Sequence, residues 1–280
     1  MNTFYSANSS QQIDKYAIEH LNIPGILLMK QAGLFAFQIL QQTLSPQHIT
    51  ILCGTGNNGG DGFIVAQLAA MSGINVEVCL FGDPQNIHGD ALIAYQEMQA
   101  IGLSITPFSP HILQQTDVII DAIFGTGLDR PITGTLRQTI EQVNQHAKPT
   151  LSLDIPSGLH ADTGTILGTA IQATHTCVFI TQKLGLYTHQ GADVSGQVHY
   201  STLFLDRPEQ QTAFQSHPPL AHNHSLSHWL KKRPAPRPSQ HKGQAGTVCL
   251  IGGNHNMMGA IQLAASASLH TGAGLVKVIT

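Results

Sequence analysis

Charge is the scarcest ingredient of this 280-residue chain: Asp, Glu, Lys and Arg together make up 10% of it, and the formal balance is −3. A partner gripped through its phosphates needs clustered cations. The one basic cluster, Lys231-Lys232-Arg233 with Arg237 nearby, sits in a proline-rich stretch that reads as solvated linker, so nucleic acid is not expected as a main partner. Long apolar runs are also missing. Residues 26–40 form the most apolar long segment, yet Lys30, Gln31 and Gln38 interrupt it short of the ~20 residues a membrane span requires. It reads as a core helix, and no membrane partner is expected. The N-terminus lacks a basic region leading into an apolar one, so no signal peptide is read there. Cysteine is sparse: Cys53, Cys79, Cys177 and Cys249 form no C-x-x-C and lie mostly in apolar runs. Free buried thiols in a reducing compartment explain them, which makes a cytoplasmic protein the expectation.

What is present is an ordinary apolar fraction, 42%, in a chain long enough for one large α/β domain and a piece of something more. Two helices are expected before the first strand, the earlier over residues 9–20 with apolar Ile13 and Ala17 at helical spacing; Ile23-Pro24-Gly25 ends that pattern. Short apolar runs then alternate with amphipathic segments: strands at 49–53, 75–81, 117–120 and 150–153, helices at 62–71, 88–101 and 135–146, and further strands at 175–181 and 196–204. Such alternation builds right-handed βαβ crossovers, hence a Rossmann-like, doubly wound, mostly parallel sheet with helices on both faces. From 206 to 241 Pro, Gln, His and Ser dominate, reading as a linker around a short helix at 226–230. A second α/β start follows, with a strand at 246–251, a Gly-rich loop, a helix at 260–270 and a strand at 275–279. About 40 residues do not bury a core of their own.

In open α/β sheets the ligand crevice lies beyond the carboxyl ends of the strands. Three strands here end in unusual chemistry. The first runs into Gly54-Thr55-Gly56-Asn57-Asn58-Gly59-Gly60-Asp61-Gly62, read as a loop whose glycines take positive φ and let backbone approach a ligand. The third runs into Asp121-Ala122-Ile123-Phe124-Gly125-Thr126-Gly127-Leu128-Asp129-Arg130-Pro131, and the fourth into Asp154-Ile155-Pro156-Ser157-Gly158. Topology gathers all three on one sheet edge, where carboxylate, amide and hydroxyl oxygens make a low-charge site suited to a monovalent cation. Gly54, Gly56 and Gly59 also satisfy G-x-G-x-x-G, with Glu77 and Asp83 near the place of a ribose-binding acid, so a NAD-dependent dehydrogenase stays open at this point. So does a catalytically silent nucleotide-binding scaffold. Arg130 and Lys183 are candidates for a ligand phosphate. His222, His224 and His228 have metal-like spacing but no acidic or thiol partner, and the linker reading is preferred.

These three motifs, in this order, resemble the NAD(P)H-hydrate epimerases, the YjeF N-terminal family, over residues 9–205. Lys242-Gly243, Gly252-Gly253, Met258-Gly259-Ala260 and Gly272-Ala273-Gly274 resemble the opening of the ADP-dependent NAD(P)H-hydrate dehydratase domain, which is ribokinase-like. The division expected is therefore 1–205 epimerase, 206–241 linker and 242–280 an incomplete dehydratase start, as in a bifunctional nicotinamide nucleotide repair protein stopped early. The resemblance implies interconversion of the R and S forms of hydrated NADH and NADPH at nicotinamide C6. It implies potassium held by Asn58, Asp121 and Ser157, with Asp154 catalytic. Substrate contacts fall on Asn57, Asn58, Gly59, Gly60 and Asp61, on Gly125, Thr126, Gly127, Leu128, Asp129, Arg130 and Pro131, and on Asp154. Ala260 matches a contact position of the dehydratase, whose activity, with ADP, is expected only of a longer chain. A homo-oligomer is expected.

Overall fold

The computed structural model describes residues 2–206, 212–232, 237–254 and 256–280; Arg233 of the basic cluster lies outside them. Two compact units divide the chain, Met1–Asn223 and His224–Thr280.

The first unit opens with a strand, β1 (Asn2–Tyr5), before the helices α1 (Ala7–Glu19) and α2 (Gly25–Thr43). Ser6 caps α1 by accepting the Ser9 N–H, and Leu28, Met29, Ala32, Ala36 and Leu40 give α2 one buried face at i, i+4 spacing. The alternating pattern follows: β2 (His48–Cys53), α3 (Asn57–Met71), β3 (Asn75–Leu80), α4 (Gly89–Ala100), the single turn α5 (Ile112–Gln115), β4 (Val118–Ala122), α6 (Gly134–His146), β5 (Thr150–Leu153) and β6 (His175–Phe179). The unit finishes with β7 (Gln182–Lys183), α7 (Gly191–Val194), β8 (Gln197–Ser201), α8 (Thr212–Gln215) and β9 (Ala221–Asn223).

Six strands form one sheet in the order β3-β2-β4-β5-β6-β8, every neighbouring pair parallel. Its strands carry apolar side chains on both faces. Ile49, Ile51 and Cys53 of β2 and Val118, Ile120 and Ala122 of β4 join the core under α2, α3 and α4, while Leu52 and Ile119 join the core under α5 and α6. Strand order reverses between β2 and β4, and a crevice opens at that switch point, beyond their carboxyl ends.

Two differences from the sequence reading bear on the site. First, a second, three-stranded sheet exists, β7-β1-β9, with β1 parallel to β7 and antiparallel to β9. Its strands are two to four residues long, too short for any periodicity to show. Second, the first unit continues past the expected end at Leu205 into residues read as linker: Ala213 is fully buried, and β9 hydrogen-bonds to β1. In the second unit α9 (Leu226–Lys232) precedes β10 (Thr247–Ile251), α10 (Gly259–His270) and β11 (Leu275–Ile279), with β10 and β11 parallel. Among its described residues only Ile261 is buried.

Candidate active site

The stretch after β2 is not a loop. Helix α3 begins at Asn57, so Asn57–Gly62 form its first turns, and its N-cap Gly56 offers no side-chain oxygen to the free N–H groups there. None of Gly54, Gly56, Gly59, Gly60 or Gly62 has a positive φ. What four of them supply is closeness. A Cβ on Gly54 would overlap the Ile123 carbonyl and one on Gly59 the Gly54 carbonyl, while Gly60 lies against Met29 and Gly62 against Ala122 and Cys53. Helix propensity argues against so glycine-rich a start. Burial against β2 and β4 overrides it, and the tight seating brings Asn57, Asn58 and Asp61 to the crevice.

At the ends of β4 and β5 a fully buried carboxylate organises the next layer. Asp121 Oδ1 accepts the Ser157 hydroxyl at 2.5 Å, and its Oδ2 accepts the Ser157 N–H at 2.8 Å and the Ser152 hydroxyl at 2.7 Å. Burial pushes this carboxyl up, and those hydrogen bonds pull it back. Ser157 Oγ in turn accepts the Phe124 N–H at 2.9 Å. Asn58 stands beside Gly125, the next residue along, buried, with both side-chain amide atoms lacking a partner. An amide with nothing to bond is costly unless something fills the gap.

Strands β5 and β6 end in the same bend. Asp154 has φ +63 with the Ile155 N–H donating to the Leu153 carbonyl; Ile180 has φ +63 with the Thr181 N–H donating to the Phe179 carbonyl. Each is a γ-turn around a non-glycine residue in the left-handed region, costing on the order of 1–3 kcal/mol. The first bend ends β5 at Asp154, whose side chain lines the cavity. The second lets the chain return along β7 so that Lys183 meets it: Nζ donates to Asp154 Oδ1 at 2.5 Å and to the Phe179 carbonyl at 2.8 Å. The Thr126 N–H donates to Oδ2 at 3.3 Å.

These groups share a cavity of about 510 Å³, floored by the strand ends and walled by α1, α2 and the start of α3. Asp14, Asp61, Asp90 and Asp154 line it. Burial raises Asp14 to about 6 and Asp61 well above the usual carboxylate range, Asp154 adding to both shifts and Lys183 opposing them. A smaller cavity of about 280 Å³ adjoins, sharing Gln11, Thr126, Gly127 and Leu128 and adding Asp129, His160 and Asp162.

Residues 25–185, the span that carries this crevice, match the family described as YjeF-related protein N-terminus. The chain belongs to that family. It is 38% identical over 281 residues to the bifunctional NAD(P)H-hydrate repair enzyme Nnr of Escherichia coli, covering 99% of this chain and 53% of the relative. It is 39% identical over 279 residues to the enzyme of the same description from Vibrio cholerae, covering 99% and 56%. The chain thus spans about half the length of the curated relatives it matches. The crystal structure of the yeast protein ynu0 has the same fold, with a TM-score of 0.64 at 19% identity over 79% of this chain and 97% of that one.

In this YjeF-related unit the cavity collects Asn57, Asn58, Asp61, Gly125, Thr126, Gly127, Leu128 and Asp154 from the expected contacts. Asp129 lines the adjoining cavity; Arg130 and Pro131 are exposed and line neither; Gly59 and Gly60 are buried as packing residues. Asp121 and Ser157 touch each other just beneath. Ala260 is an exposed residue of the second unit. Lys183, a candidate for a ligand phosphate, lines the cavity and is ion-paired with Asp154. Among the described residues no group of three His, Cys, Asp or Glu side chains is placed to hold a metal, and no helix is long and apolar enough to cross a membrane. Asp14 escaped the sequence reading. Its signal was there: an acid on the same helical stripe as the buried Ser10, Ile13 and Ala17.

Proposed function

We propose that the first unit epimerises hydrated NADH and NADPH, interconverting the R and S forms at nicotinamide C6. The observation that carries this is the carboxyl of Asp154, aimed into a cavity wide enough for a nucleotide and bounded by a helix start. In the proposed reaction Asp154, ion-paired with Lys183 at rest, acts as general acid in the state that carries a proton and gives that proton to the departing C6 hydroxyl. Water leaves, and the ring is left as an iminium-type cation beside a carboxylate. Water then adds to either face of C6 as Asp154 takes a proton back, regenerating the hydrate and the acid. A positioned proton donor of this kind is worth on the order of 10²–10⁴-fold. Asn57 and the first-turn N–H groups of α3 would take a phosphate.

The residues present fit a potassium ion. Asn58 is a buried amide with an unused oxygen, and Asp121 and Ser157 supply a carboxylate and a hydroxyl nearby, an all-oxygen set of low charge. Bound there, the ion would offset phosphate charge. For the second unit we infer only the opening β-α-β of a nucleotide fold; the ADP-dependent dehydratase reaction is proposed for a chain with the further length that the relatives have.

The test is a coupled assay in which a separate S-specific dehydratase consumes product made from the R epimer, with and without potassium. Asp154→Asn is expected to lower turnover by at least about a hundredfold while NADPH still binds. Normal turnover of the R epimer by Asp154→Asn would overturn the role, and a wild-type chain that oxidises an added alcohol with NAD would overturn the reaction class.

A further inference from the structure

Lys183 is 2% exposed, and a buried ammonium is tolerated only beside a counter-charge and hydrogen-bond acceptors. It has both, in Asp154 Oδ1 and the Phe179 carbonyl. Were the pair purely a structural clasp, its carboxylate would be sealed as well. Asp154 is instead 16% exposed, and both partners line the cavity.

The ammonium is anchored from behind. Lys183 ends β7, where its backbone pairs in register with Tyr5 of β1, and the short sheet continues into β9. Its carboxyl partner is held from the other side by the Thr126 N–H on Oδ2, and Gly125 is so near that a Cβ there would come within 3.0 Å of that oxygen. One oxygen of Asp154 is thus fixed by Lys183 while the other turns toward the loop and the cavity. Among the described residues Lys183 is also the single Lys or Arg lining the cavity, against the acids Asp14, Asp61, Asp90 and Asp154.

We propose that Lys183 is a positioning residue for Asp154: it sets the direction of the carboxyl and stabilises the negative charge that appears on it when the proton is given to the leaving hydroxyl. This rests on the epimerase reading of the cavity. No bond to Lys183 forms or breaks; the proton moves between Asp154 and substrate, and the ammonium stays protonated. A fixed charge beside the site of developing charge needs no reorganisation during the reaction, the condition under which electrostatic stabilisation is largest.

The experiment uses the full chain with saturating potassium and the coupled dehydratase. Lys183→Met keeps the length of the side chain and removes the charge; Lys183→Ala leaves room for an added amine. Both are checked for folding by thermal melt and for affinity with NADPH. The expected result is a kcat lower by about a hundredfold in each variant, with KM and NADPH affinity within about threefold. Methylammonium or ethylammonium is expected to restore at least about tenfold in Lys183→Ala, and tetramethylammonium, which has no N–H, none. Recovery of this kind is outside the reach of a residue that only holds the fold. Unchanged kcat in both variants, a loss confined to KM, or folded Lys183→Ala that no amine restores would each overturn the assignment. A wild-type chain without turnover would instead sink the epimerase reading itself, which separates the two failures.

Discussion

Asp14 sits two turns inside α1 and shares the cavity with other carboxyls, and the consequence is measurable in stability. Folded, it keeps its proton up to about pH 6, whereas the unfolded chain releases it near 3.8. The folded state therefore binds more protons between those values, and stability falls as pH rises through that window. Asp14→Asn removes the penalty. It is expected to raise the melting temperature at pH 8, by the equivalent of on the order of 3 kcal/mol, and to leave it nearly unchanged at pH 4. An equal gain at both pH values would mean that ionisation is not the cause. At this scale the sequence was informative about which residue types meet and silent about partners. Asn58, Asp121, Asp154 and Ser157 are all recognisable from three strand-end motifs. That Lys183 would bond to Asp154, 29 positions earlier, depends on β6 and β7 returning past β5, which no local pattern encodes.

Among the elements, the six strands of the main sheet and the longer helices follow from alternating apolar runs, and their observed ends fall within a few residues of those expected. The start of α3 does not follow. Five glycines between Gly54 and Gly62 signal a loop by propensity, yet that segment is mostly helix because helix and strand press together there. Gly59→Ala tests this reading. The new methyl group would meet the Gly54 carbonyl oxygen, which is backbone and cannot swing aside. A loss of about 1–3 kcal/mol is expected from chemical denaturation, with weakened NADPH binding because Asn57 and Asn58 move with the helix. Were glycine there only to approach a ligand, binding would suffer and stability would not.

For the whole molecule, the informative boundary is the one that composition put too early. Pro, Gln and His after Asp206 look like linker, but Phe214 packs edge-on against Tyr5 at 6.2 Å and β9 completes the sheet that holds β1 and β7. Pairing between residues some 220 positions apart leaves no trace in local periodicity. A chain ended after Asn223 is expected to melt as the first unit does in the full chain, whereas one ended after Leu205 should melt at least several degrees lower, since it loses buried Ala213, the Phe214 ring against Tyr5 and the strand paired with β1. Equal melting of the two would return residues 206–223 to linker status. The second unit is legible in outline, strand, helix and strand, and its exposed Ile251, Leu263 and Met257 accord with the expectation that so few residues bury no core of their own.

The twin bends at Asp154 and Ile180 carry one more implication. Because neighbouring strands terminate in matching contorted backbones, the orientation of the acid and of its cationic neighbour is decided while the chain folds, before any ligand enters the cavity. In the proposed reaction the acid then has no need to rearrange on encounter; whatever adjustment the visitor demands falls to the wall from Phe124 to Pro131, where the chain is more open to water.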